Sequence, residues 1–139
     1  MSTTNIRSAL VTRLEALSLL QEISYENIQF SPPSDGIWLR FNFIPANTLP
    51  VTLGQGGDDE AVGMAQIDIF APTNTGTSEP YALAEIVKNT FVVGNIFEYN
   101  ATKTRITSTR IDIIGTIENQ YHIAVTVNWS AYLTRPPLT

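Results

Sequence analysis

The side chains that could do chemistry are few and poorly placed to cooperate. His122 is the one histidine; it falls on the polar face of an alternating segment, the sequence offers it no partner, and it reads as a surface residue rather than a base. Serines are common, but none sits in a Gly-x-Ser-x-Gly elbow, so a serine hydrolase would have no marked nucleophile. Cysteine is absent, which removes a thiol nucleophile, a thiolate zinc site and any disulfide framework. Asp58, Asp59 and Glu60 follow Gly54, Gly56 and Gly57. Adjacent carboxylates on a pliant loop suit calcium or magnesium, yet the alternating ligands of an EF-hand are missing, and a solvated acidic loop is the simpler reading. The same glycines do not make a phosphate cradle, because no Gly-Lys-Ser or Gly-Lys-Thr follows and three acids repel phosphate. No catalytic, cofactor-binding or metal-binding residue is assigned, and the chain is expected not to be an enzyme.

Composition sets the frame. The chain has 139 residues, 43% of them apolar and 15% charged, enough for one core and too apolar for disorder. A single domain over residues 1–139 is expected. The net charge is −5, from 13 acidic and 8 basic residues, and the basic ones stand singly. Phosphate binding wants a clustered basic footprint, so sequence-specific nucleic-acid binding is not expected. Arg7, Arg13 and Glu15 interrupt the first apolar pattern, unlike a secretion signal, and no run approaches the roughly 20 apolar residues of a membrane span. The expectation is a soluble product kept inside the producing cell, with no membrane partner.

The elements that would position any site follow from periodicity. Ile6, Leu10, Leu14, Leu17 and Leu20 recur at steps of three and four, which predicts an amphipathic helix from Thr3 to about Gln21 with Thr3 or Thr4 as its cap. After the break at Pro32-Pro33 and Ser34-Asp35-Gly36, a strand places Ile37, Leu39, Phe41 and Phe43 on one face and Trp38, Arg40, Asn42 and Ile44 on the other. A second strand, Met64 to Phe70, puts Ala65, Ile67 and Ile69 opposite Gln66, Asp68 and Phe70. Ser78, Glu79 and Pro80 open a second helix that runs to about Phe91, buries Leu83, Ala84, Val87 and Phe91, and stops at Gly94. Following a short apolar piece from Ile96 to Tyr99, Thr104 to Ile117 and Tyr121 to Leu133 read as a long hairpin turning near Glu118-Asn119-Gln120. The fold class is therefore α+β: a mainly antiparallel sheet flanked by two helices on one face.

Two features are left for interaction. Between about Asn47 and Val62, glycines and acids oppose regular structure, and a long loop of this kind is usually functional; it is expected to be a mobile arm carrying Gly56, Asp58, Asp59 and Glu60. Trp38, Phe70 and Tyr132 point away from the main core stripe. Large aromatics in such places either join an interface or form a second small core under a loop, and the sequence leaves both open.

A resemblance runs through nearly the whole chain. Its carriers are the opening Thr3-Thr4-Asn5-Ile6-Arg7, then Tyr25-Glu26-Asn27-Ile28-Gln29-Phe30 with Pro32-Pro33, Trp38-Leu39-Arg40-Phe41, and Gln66-Ile67-Asp68-Ile69-Phe70 with Pro72 and Gly76. An alanine-containing helix and the closing strand Tyr121 to Tyr132, with its short basic and proline tail, complete the pattern. In this order the elements resemble the tail terminator and minor tail protein families of long-tailed bacteriophages. The resemblance implies a virion protein, assembled in the host cytoplasm, that caps the tail tube at its head-proximal end, ends its polymerisation and joins it to the head. It implies a homo-oligomer, a hexameric ring, with the tail tube protein and a head-completion or connector protein as partners. DNA would pass through without sequence-specific binding, and no cofactor is implied. The alternatives are another neck protein, such as a head-closure or tail-completion adaptor, and a cellular non-enzymatic binding domain.

Overall fold

The computed structural model describes residues 2–17, 19, 21–33, 35–50 and 58–134. In chain order these form α1 (Ser2–Glu15), β1 (Glu22–Ser24), β2 (Trp38–Pro50), β3 (Asp58–Pro72), α2 (Ser78–Thr90), β4 (Ile96–Tyr99), β5 (Thr102–Ile117) and β6 (Gln120–Thr134). The six strands make one sheet in the order β1-β2-β3-β6-β5-β4. Every pairing is antiparallel except β1 with β2. The class is α+β with a mostly antiparallel sheet.

Alternation in the strands builds the core. Leu39 and Phe41 of β2, Ala65, Ile67 and Ile69 of β3, and Ile123, Val125, Val127 and Trp129 of β6 are buried in one cluster. Ile6, Leu10 and Leu14, spaced one helical turn apart, join it from α1, and Leu83, Ala84 and Val87 join it from α2, with Phe91 just beyond. Each such side chain contributes about 1.5–3 kcal/mol by leaving water, so the two helices are held by burial more than by propensity.

Helix α1 is shorter than its periodicity predicts. It ends at Glu15, and a tight bond from the Leu17 amide to the Leu14 carbonyl closes the last turn. Leu17 and Leu19 still pack on the core, but the chain then enters β1, which pairs with Trp38, Leu39 and Arg40. Pairing and packing outweigh the local helical pattern here. Neither threonine is the cap, because the helix already includes Thr3 and Thr4; Leu20 lies outside the described residues. Thr77, not Ser78, precedes α2.

The β5–β6 hairpin turns through Glu118 and Asn119, both with positive φ, at 52° and 65°. A two-residue turn of this hand matches the twist of the flanking strands. Gly94 has φ +90° where α2 gives way to β4, as a stop there requires.

The arm expected over 47–62 is largely strand. Asn47, Thr48, Leu49 and Pro50 pair with Val62, Ala61, Glu60 and Asp59, and β3 pairs on its other side with β6 through Asp58↔Thr134. Pairing on two sides holds residues 59–62 in the sheet despite their poor strand composition. What remains of the arm, residues 51–57 with Gly56, lies outside the described residues. Within the hairpin, Gly63 is required by contact: a Cβ there would stand 2.6 Å from both the Ile44 carbonyl oxygen and Trp129 Cζ2. The Trp129 indole instead stacks on Phe43 with ring centroids 5.3 Å apart.

Candidate functional site

The sheet face away from the main core carries the polar and aromatic residues of interest, in two groups at its opposite ends. Register puts Trp38, Phe70 and His122 side by side across β2, β3 and β6. Their rings stack, with centroids 4.4 Å apart for Trp38 and Phe70 and 4.5 Å for Phe70 and His122. Phe30 adds a tilted contact to Trp38 at 5.3 Å. Trp38 is 8% exposed and Phe70 9%. In the isolated chain these two therefore form a second small core, one of the two roles the sequence allowed.

Beside this column lies a carboxylate with no solvent access. The Asp68 side chain is fully buried, and Oδ2 accepts from Arg40 Nε and Nη2 at 3.2 and 3.0 Å. Oδ1 accepts from Gln66 Nε2 at 2.8 Å and lies 2.8 Å from His122 Nε2, which donates in the corresponding tautomer. Arg40 also covers the face of Phe70, 5.0 Å from the centroid. The expectation for His122 is thus corrected: it has a partner, and its side chain is only 13% exposed. Strand alternation placed it on the polar face correctly, but the sequence could not show that Asp68, 54 positions away, shares that face one diagonal step across. A satisfied carboxylate with four donors is suited to tying strands together, since buried charges persist when paired and fully hydrogen-bonded.

The second group sits about ten residues further along β3, roughly 33 Å away. Glu60 is flanked in register by Leu49 of β2 and Tyr132 of β6. Leu49 is 54% and Tyr132 63% exposed, so this end presents an apolar and acidic tip. Asp58 pairs in register with Thr134, and Asp59 with Leu133. In a strand, Asp58 and Glu60 point to one face and Asp59 to the other, which separates the three carboxylates a loop could have converged on a cation. Among the described residues no three histidine, aspartate or glutamate side chains gather as a metal site, and no helix is long and apolar enough to cross a membrane. Trp38 and Phe70 are not brought together with Tyr132, Asp58, Asp59 or Glu60.

Sequence reasoning missed Glu26. It leaves β1 and reaches back to β2, where Oε2 accepts from the Phe43 amide at 2.6 Å while Oε1 pairs with Arg7 Nη2 at 2.6 Å. Burial alone would raise its pKa, but the hydrogen bonds from Arg7 and from the Phe43 and Glu26 amides, with the Arg7 charge, hold it below the ordinary value. Its place in the motif Tyr25-Glu26-Asn27 was the only signal.

Comparisons with known proteins add the following. A family model described as phage tail terminator protein matches residues 5–129. A solved structure without a functional description superposes with a TM-score of 0.77 at 20% identity, covering 94% of this chain and 96% of that one. A chain in the virion of a native gene transfer agent particle superposes with a TM-score of 0.62 at 14% identity, covering 96% and 98%. At those identities the likeness is one of fold. A comparison with curated protein sequences returned no match.

Proposed function

The chain belongs to the phage tail terminator protein family, and from that premise we propose that it caps the tail tube, ends its polymerisation and offers the surface on which the head is joined. The observation that carries this reading is the span of the family match, which runs from α1 into β6 and so takes in every element of the fold. A phage tail structural protein needs surfaces rather than a reaction centre, and the most organised polar cluster, around Asp68, is internally satisfied.

The protein acts as a closed ring of copies, six in this reading, at the head-proximal end of the virion tail. One domain of 139 residues is too small to enclose a channel alone, and closed rings rest on heterologous contacts. Both helices lie on one face of the sheet in this arrangement, sharing one core with it. The tip formed by Leu49, Glu60 and Tyr132, together with Asp58, Asp59 and the connecting residues around Gly56, meets a neighbouring copy or the tube end. DNA passes through the ring without being held: the net charge is −5 per chain, and Arg40 and Arg110 are paired with Asp68 and Asp112 at 3.0 and 2.7 Å. A net negative wall gives phosphates little to bind. Assembly takes place in the host cytoplasm, against the tube protein first and a head-completion or connector protein afterwards.

Electron microscopy of tails that carry the protein tests the reading. A ring of density that vanishes with the protein is expected at the head-proximal end; tails with the protein bound but no ring there contradict it.

A further inference from the structure

The two lateral edges of the sheet are protected unequally. On the outer side of β5, β4 pairs only with Thr102 to Arg105. Backbone bonds from Gly94 and Asn95 reach as far as Ile106, and the Thr109 hydroxyl donates to the Phe91 carbonyl. Among the described residues no backbone bond then covers that side of β5 from 107 to 117, a stretch without proline or lysine. Ile113, Ile114 and Ile117 stand 55%, 47% and 52% exposed along it. An open edge with exposed isoleucines is a site for another chain, and here Arg110, Asp112 and the register shift between Ile113 and Gly115 interrupt it only in part. The β2 edge, by contrast, is blunted: β1 covers Trp38 to Arg40, Glu26 takes the Phe43 amide, and Pro45 has no N–H to offer.

From this asymmetry, and resting on the ring proposed above, we infer that the open edge of β5 docks on the β1–β2 side of a second copy of this chain, so that each copy gives one side of its sheet and receives the other. Charge favours that occupant. Residues 22–37, which form and follow β1, carry Glu22, Glu26 and Asp35 and no basic residue; Glu22 and Asp35 are exposed. Residues 96–117 carry Lys103, Arg105 and Arg110 against Glu98 and Asp112; Lys103 and Arg105 are exposed. Residues 96–117 total one positive charge and residues 22–37 three negative ones, so β5 against β1–β2 sets opposite net charges together. The receiving side also holds Ile28, 65% exposed. Beside the β5 edge, α2 and β5 frame a groove of about 480 Å³ lined by Tyr81, Lys88, Arg110 and Ile113, which accepts an apolar side chain from the neighbour. Because β1 and β4 are at opposite ends of the strand order, the contact is head to tail, the heterologous kind from which rings are built.

The absence of cysteine makes the test clean. Tails are assembled with the double variant Ile28→Cys, Ile114→Cys and treated with a short bifunctional maleimide. A ladder of linked chains from two copies upward is expected, whereas tails with only Ile114→Cys stay unlinked. Dimers from Ile114→Cys alone, or unlinked chains in double-variant tails that carry rings by microscopy, overturn this contact and leave the ring reading standing; ringless tails built with the unsubstituted protein overturn both. Charge reversal gives an independent arm. Lys103→Glu with Arg105→Glu should lower ring-bearing tails by roughly tenfold, and adding Glu22→Lys with Asp35→Lys should restore them; no restoration in a folded protein counts against the contact.

Discussion

His122 Nε2 lies 2.8 Å from Oδ1 of Asp68, across one diagonal step between β6 and β3. The histidine is one of three side chains, with Arg40 and Gln66, that satisfy a carboxylate from which water is excluded. Removing one donor leaves three hydrogen bonds in place. His122→Ala should therefore lower stability by about 1–2 kcal/mol and still build tails. Asp68→Ala strips the partner from three side chains, although the partly exposed Arg40 can rehydrate, and should cost about 2–4 kcal/mol. Thermal unfolding orders the two variants; a folded His122→Ala protein of normal stability that fails in assembly would instead assign His122 a role in contact with a partner.

Gly63 is a packing requirement at the hairpin base. Gly63→Ala forces a methyl against the Ile44 carbonyl and the Trp129 ring and should cost about 1–3 kcal/mol. The accompanying loss of the Trp129–Phe43 stack should appear in tryptophan fluorescence and near-UV circular dichroism. Substitution without either effect would mean that β2 and β3 are further apart than described.

Glu26 makes stability depend on acid. Its pKa is lowered from the ordinary 4.5, so the folded chain holds this carboxylate ionised at pH values where the unfolded chain binds a proton. That contribution is complete above the unfolded value and is lost as pH falls through the lower folded one. Denaturation curves taken from pH 6 down to about 3 should show a decline that Glu26→Gln makes shallower. An equal slope in both proteins would remove Glu26 as a cause.

The tip residues separate folding from assembly. Leu49 and Tyr132 are more than half exposed, so Leu49→Ser with Tyr132→Ala should change stability by only about 0.5 kcal/mol per site. If the tip docks, the same variant assembles tails poorly. Normal tails from it would make the tip passive.

Much of the fold was legible because period and burial agree. Leu39-Phe41, Ala65-Ile67-Ile69 and the alternation from Tyr121 to Leu133 declare one buried face, and Leu83, Ala84 and Val87 declare a helix. Long-range partners decided what was not legible. Residues Glu22 to Ser24 become a strand only because β2 is beside them, and Asp59 and Glu60 are drawn into β3 by neighbours on both sides against their own composition. The candidate residues divide in the same way. Tyr132 and Glu60 meet through register, whereas the burial of Trp38 and Phe70 depends on Phe30 and His122, which no spacing rule connects. An unprotected edge is likewise a property of a sheet, visible only once its strand order is known.

Arrest of tail-tube growth by this protein is measured in the length distribution of tails seen by electron microscopy. Cells making tails without the protein should yield tubes that run past the normal length with a broad spread and do not join heads, and supplying the protein should restore one sharp length. Tails of normal, uniform length in its absence would show that another component ends the tube.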